Sequence, residues 1–444
     1  MKFSRWLSLH LLLLLILTGV SIAPGQSTSA PASTSQRHDE KLRFVAVLTR
    51  HGVRSPTSKG DQWNAYSSAP WPEWNVAPGY LTPHGAELMR LVGVYDHQWL
   101  AHQGLFSQEG CTDSAHVRIL ADSDQRTRET GKAWAEGFAP GCGLAVTAHD
   151  EGESDALFHP LEAGVGHPDK QRAKVEIAGR IGGKPESIAT QYRTGLELLE
   201  KVLTGCQAPA ACPASVSTAP RSLFDAPATF AEGHGDHMVD LRTPLSLAAT
   251  MSENLLLEYA EGFSEQRLGW GRLDRATLNK LIDLHTANED LTQRTSTIAR
   301  AQASNLMFHV AKSMEQVIVR KAVAGSLVAN DDKLLLLVGH DTNLANLAGA
   351  LHLTWTLDGR TNDTPPGSAL IFEVWEQAPE TYVVRTYFTA QTLDQMRNTT
   401  PLSLDAPPER VAVKIPGCRN SSAGCPWNSF RGVIEGVIDM GFIR

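Results

Sequence analysis

Three short apolar runs, each breaking off into a cluster of charged residues, constrain this chain more than any other feature. They are Leu42–Leu48, Val117–Leu120 and Leu334–Val338. Nearly unbroken apolar stretches of this length suit strands covered on both faces, as in a parallel sheet with helices above and below. Helical periodicity follows the second run over Thr127–Gly137 and the third over Thr342–Leu351. Two further strands are predicted at Ala369–Trp375 and Thr381–Ala390. In the middle of the chain the pattern changes, and residues 185–204, 246–262, 275–287 and 299–324 repeat near the helical period. The predicted fold class is therefore α/β. A doubly wound sheet domain is assembled from 41–150 plus 295–444, and a mostly helical domain, 151–294, is inserted into it.

A length of 444 residues exceeds one typical core and agrees with this division. Forty Lys and Arg stand against 48 Asp and Glu, a net charge of −8, which argues against broad coating of nucleic acid. No nucleic-acid partner is expected. At the N-terminus, Lys2 and Arg5 precede an apolar run from Trp6 to Ile22 and then Ala23-Pro24-Gly25. This is the pattern of a secretory signal peptide, assigned to residues 1–25. An uncleaved anchor ranks second, because Ser8, His10, Thr18 and Ser21 interrupt the run. The polar, low-complexity stretch to residue 40 is read as a tether. The mature protein is expected to be periplasmic or secreted, off the membrane after cleavage, and monomeric.

Six cysteines in an exported chain read as three disulfides, although fifteen pairings exist. Proximity favours Cys206–Cys212 and Cys418–Cys425, leaving Cys111–Cys142. No C-x-x-C pair is present, so no zinc site is expected there.

The charged clusters at the strand ends carry the chemistry. The first strand runs into Arg50-His51-Gly52-Val53-Arg54-Ser55-Pro56-Thr57, the second into Asp122-Ser123-Asp124-Gln125-Arg126, the third into Gly339-His340-Asp341. Ligands of open α/β sheets bind beyond the carboxyl ends of strands. If the three strands are neighbours, Arg50, Arg54, Arg126, His51, His340 and Asp341 meet at one edge. Three guanidinium groups suit a phosphate or carboxylate, and a helix starting near Thr342 adds a positive N-terminus. Among such charges His51 is expected to stay neutral and nucleophilic. Asp341, beside a bound phosphate, is expected to have a raised pKa and to donate a proton to a leaving alkoxide. Gly52 is read as allowing the backbone close to the ligand. Together these parts make a phosphoryl-transfer site that needs no metal or other cofactor.

Each motif alone has a plainer explanation. Arginines at strand ends are often surface ion pairs, and Asp341 is a plausible helix N-cap. Three clusters after three buried-type strands reverse that ordering. His234-Gly235-Asp236-His237 has zinc-compatible residue types but no partner motif, and reads as a polar loop. A non-catalytic phosphate-binding protein would keep the arginines without needing both His51 and Asp341.

Residues 50–57 resemble the R-H-G-x-R-x-P signature of histidine acid phosphatases, and His340-Asp341 resembles their second motif. The resemblance extends over nearly all of the mature chain, including Asn362–Gly367 and Gln391–Leu404, and is strongest to the bacterial periplasmic phytase and acid phosphatase branch. It implies the phosphoglycerate-mutase-like, histidine phosphatase fold and a small-molecule phosphomonoester substrate. By the same resemblance His51 forms a phosphohistidine, Asp341 donates the proton, and Arg50, Arg54, Arg126 and His340 bind phosphate. Thr57, Lys59, Glu253 and His285 are expected to line an outer pocket. Glu289 and Gln302 stand where that branch carries an aromatic residue and an arginine, which weighs against a highly charged substrate. The alternatives to a phytase are a glucose-1-phosphatase-like or a broad-specificity acid phosphatase.

Overall fold

A computed structural model of the chain describes residues 40–205, 220–418 and 424–444. The expected signal peptide, the tether before residue 40 and the Cys206–Cys212 pair lie outside the described residues.

The first apolar run forms strand β1 (Lys41–Arg50), the second β2 (Val117–Ala121), and β3 is a short strand, Val146–Thr147. The third run forms β4 (Leu334–Gly339), which enters the sheet between β1 and β2, parallel to both. The strand from the far end of the sequence thus completes a parallel core begun almost 300 residues earlier. Arg50 lies opposite Gly339 and Ala121 opposite Val338. The three strands therefore end level.

Beyond β1 the sheet continues with strands that alternate in direction. β5 (Ala369–Ala378) pairs antiparallel with β1, β6 (Thr381–Ala390) with β5, and β7 (Glu409–Ala412) with β6. The sheet is mixed, with a parallel half that carries the charged strand ends and an antiparallel half formed by the C-terminal region.

Alternation along β1 sends its side chains into two cores. Phe44, Ala46 and Leu48 join Leu335 and Leu337 on one face. That face is covered by α7 (Ser296–Val319) and α8 (Asp341–Leu351). Val45 and Val47 join Val117, Ile119, Leu334 and Leu336 on the other, under α1 (Pro83–His102) and α2 (Gln125–Phe138). Burial on both faces explains why the strands read as unbroken apolar runs. The disulfide Cys111–Cys142 closes the segment that carries β2 and α2, and Cys418–Cys425 lies near the C-terminus.

Helix α1 was not signalled by the sequence. Its Gly85 and Gly93 face backbone: a Cβ at Gly85 would lie 2.1 Å from the Val53 carbonyl oxygen, and one at Gly93 2.2 Å from that of Trp134. These residues serve close approach, at the expense of helix propensity.

Helices α3 (Lys170–Arg180), α4 (Arg193–Thr204), α5 (Pro244–Ala260) and α6 (Arg275–Thr292) surround a core of their own, built on residues such as Leu199, Leu245, Leu255 and Leu281. The expected helix over 185–204 is divided, with a short turn of helix at Ser187–Gln191 before α4. Helix α7 serves both cores: Ile298 and Ala301 point into the helical one, and Ala299, Ala303 and Leu306 into the sheet core. Among the described residues no helix is long and apolar enough to cross a membrane.

Candidate active site

The backbone hands each functional residue from one strand to the next. The Arg50 amide donates to the Ser368 carbonyl at 2.9 Å and the His51 amide to that of Gly339 at 2.9 Å, so β1 stays tied to both neighbours to its last residue. Beyond it the chain turns away, and the Gly52 amide donates to Thr130 Oγ1 at 2.9 Å. A Cβ on Gly52 would come within 2.8 Å of Met89 Cγ and 2.9 Å of the Gly85 carbonyl oxygen. Packing against α1 by itself requires a glycine here.

At the end of β4, His340 is the N-cap of α8, and its amide donates to Asn343 Oδ1 at 2.9 Å. Asp341 occupies the first turn, one place inside the cap position considered for it. Arg126 lies in the first turn of α2. Arg50, Arg54, Arg126, His51, His340 and Asp341 are thus brought together by the level ends of β1, β4 and β2.

His51 is 2% exposed and its Nδ1 lies 2.8 Å from the Gly52 carbonyl oxygen. A carbonyl only accepts, so Nδ1 carries the hydrogen and the lone pair of the neutral ring is on Nε2. Burial, then the guanidinium charges of Arg126, Arg50 and Arg54, hold the His51 pKa well below that of an ordinary histidine.

Arg50 donates to the Thr364 carbonyl at 2.6 Å, lies 2.9 Å from Asp341 Oδ2, and is ion-paired with Glu253. Arg54 reaches the same Glu253 oxygen at 3.1 Å. Arg126 Nη2 sits 3.4 Å from His340 Nδ1. Each of the three arginines retains a buried Nε without a hydrogen-bond partner among the described residues. Buried donors are rarely left this way, and the site has spare capacity for an anion.

The raised pKa expected of Asp341 belongs to a carboxyl beside bound phosphate; the protein's own groups act in the opposite direction. Burial pushes it up, but Arg50, His285, Arg54 and His340 outweigh that and hold the carboxyl below the usual carboxylate range. The protein's own charges favour an ionised Asp341, so raising it requires an anion that neutralises the same arginines.

The residues assigned to an outer pocket divide. Glu253, from α5, lies against the innermost arginines rather than at the rim. His285, from α6, is buried, and ligand-capable atoms of Glu253, His285 and Asp341 lie within 4.8 Å of one another. Thr57 and Lys59 are exposed. Lys59 lines a cleft of about 490 Å³ with Trp63, Trp71 and Trp74, which begins at Ser55 beside Arg54. Glu289 lies one turn beyond His285, and burial together with the Asp341 charge pushes its carboxyl up to about 7. Gln302 is buried and donates to the Asp236 carbonyl instead of facing the arginines. His234 and His237 are exposed.

Sequence reasoning missed Asp122 and His159 as a unit. His340 Nε2 lies 2.7 Å from Asp122 Oδ2, which is also 3.2 Å from His159 Nε2. Asp122 sits in a cluster already noted, but His159 lies in a turn with no periodic or motif signal.

Comparison with known proteins gives a consistent outcome. A family profile described as Histidine phosphatase superfamily (branch 2) matches residues 41–389. The chain is 37% identical to Phytase AppA of Escherichia coli (strain K12) over 413 residues, 92% of this chain and 94% of that one. It is 27% identical to a Glucose-1-phosphatase of Providencia rettgeri over 438 residues, 96% of this chain and 99% of that one. Among solved structures, the Hafnia alvei phytase in complex with tartrate superposes with a TM-score of 0.83 at 32% identity, covering 92% of this chain and 99% of that one. The Citrobacter braakii phytase gives 0.80 at 33% identity, covering 91% and 99%.

Proposed function

The chain belongs to branch 2 of the histidine phosphatase superfamily, and on that premise we propose that it is an exported, phytase-like acid phosphomonoesterase acting through a phosphohistidine at His51. The observation that carries the assignment is the pairing of a buried imidazole, Nε2 free, with three arginines that each keep an unpartnered buried donor.

In this reading the phosphate of the substrate enters among Arg50, Arg54, Arg126 and His340. The guanidinium donors spread over its oxygens stabilise the charge of the transferring phosphoryl group. The His51 Nε2 lone pair forms the bond to phosphorus as the bond to the ester oxygen breaks, and that oxygen takes a proton from Asp341. The dianion provides what the protein alone lacks: it offsets the arginine charges that keep Asp341 ionised. A water then attacks the phosphohistidine and yields its proton to the Asp341 carboxylate. Inorganic phosphate leaves and His51 returns neutral, its depressed pKa keeping it nucleophilic in acid.

The second reading is a glucose-1-phosphatase-like enzyme, and Glu289 supports it: beside Asp341 and His285 it offers a carboxyl, not a positive charge, to the additional phosphates of a substrate such as inositol hexakisphosphate. The test is a substrate panel at acid pH comparing phytate, glucose 1-phosphate and an aryl phosphate by kcat/KM. Highest efficiency on phytate supports the phytase reading. Highest efficiency on glucose 1-phosphate supports the second, and no turnover of any of them refutes both.

A further inference from the structure

His159 is held at both ring nitrogens by carboxylates. Its Nε2 lies 3.2 Å from Asp122 Oδ2 and its Nδ1 2.5 Å from Asp236 Oδ2. An ionised carboxylate only accepts, so both nitrogens carry hydrogen and the ring is an imidazolium. The Asp122 oxygen it touches is the one to which His340 donates at 2.7 Å. The rings of His159 and His340 are 5.2 Å apart. A continuous chain therefore runs from Arg126 through His340, Asp122 and His159 to Asp236.

The far end of this chain is fixed. Asp236 accepts from the Glu162 amide at 2.9 Å, and Gln302 donates to its carbonyl. Next to His159, the Phe158 carbonyl accepts from Asn343 Nδ2 at 2.8 Å, which ties this turn to the start of α8. The turn and the phosphate-facing end of α8 are thus held in register.

We infer that His159 is a positioning residue of the active site, whose fixed positive charge shares Asp122 with His340 and so sets the pH at which His340 presents a second N–H to phosphate. The inference rests on the phosphatase reading. The groups facing the His340–Asp122–His159 unit are His51 beyond the end of β1, Asp124 and Arg126 before and in α2, and Asp341 in α8. From the region between β3 and α3 come Asp155 and Glu162, with Asp236 beyond. Burial, and the charges of Arg126 and His159, disfavour the charged form of His340, while Asp122 favours it. Removing the His159 charge leaves Asp122 to His340 alone and eases its protonation.

The test is the pH profile of kcat/KM for wild type, His159→Asn and His159→Lys with an aryl phosphate. We expect the alkaline limb of H159N to move up by about one pH unit and that of H159K to stay near wild type, because lysine restores the charge. Equal shifts in the two variants, or a uniform loss without a shift, would overturn the inference. Should H159N fail to fold, Asp236→Asn, which weakens the hold on the imidazolium, should move the limb in the same direction, and an unmoved limb would overturn it equally. A wild type without turnover would instead refute the phosphatase reading.

Discussion

The Nδ1 of His51 lies 2.8 Å from the carbonyl oxygen of Gly52. One local contact decides which nitrogen of a buried ring can attack, because a carbonyl demands a donor and leaves the lone pair on Nε2. Helix α1, packed against Gly52, keeps that carbonyl in place.

Replacing Asp341 with Asn should slow reactions in proportion to how poor the leaving group is. Hydrolysis of an alkyl phosphate should fall on the order of 10²–10⁴-fold. An aryl phosphate with an acidic phenol, which needs little protonation, should lose far less. Steady-state kcat on the two substrates checks this, and parallel losses would remove Asp341 from the role of general acid.

Glu253 is the internal counterion of Arg50 and Arg54. Removing one partner of a buried pair costs about 3–5 kcal/mol, so Glu253→Gln should unfold at lower temperature. Inorganic phosphate should then restore more stability to the variant than to wild type, since it pairs with arginines left without their carboxylate. Thermal unfolding with and without phosphate measures the difference; equal stabilisation of both proteins would count against it.

His159 also predicts a pH dependence of stability. Burial pulls its pKa down, but the hydrogen bonds and charges of Asp122 and Asp236 outweigh that and raise it from 6.5 to about 10. Because the folded value is the higher one, this contribution is fully present below about pH 6.5 and is lost as pH climbs towards 10. The unfolding midpoint of wild type should decline across that window more steeply than that of H159N. Parallel slopes would show that His159 is not held charged.

The Cys111–Cys142 bond spans a separation of 31 residues. On the chain-entropy account, removing it with paired serines should cost about 3–4 kcal/mol. Its distance from the arginine cluster along β2 should leave KM for an aryl phosphate unchanged, so urea unfolding and kinetics together test the point.

The sheet and the cluster of charged residues at its edge were legible because buried parallel strands write themselves as apolar runs, and their charged ends mark where the sheet stops. That β4 lies between β1 and β2 was a condition of the sequence argument, and the register of Arg50 with Gly339 meets it. Helix α1 was hidden because its glycines, needed for contact with Val53 and Trp134, weaken the helical signal. The inner position of Glu253 and the role of His159 depend on contacts between segments far apart in the chain. His159 meets Asp122 across 37 residues and Asp236 across 77, a juxtaposition that no local spacing encodes.

The proposed reaction turns on the covalent intermediate at His51. The most direct measurement is rapid mixing with an aryl phosphate, quenching in alkali, and mass spectrometry of the peptide that carries His51. A phosphoryl group should appear on His51 with the burst of phenol and decay with turnover, and should be absent from His51→Ala, whose kcat should fall on the order of 10⁴-fold. Steady turnover with an unmodified His51, or undiminished turnover by H51A, would contradict it.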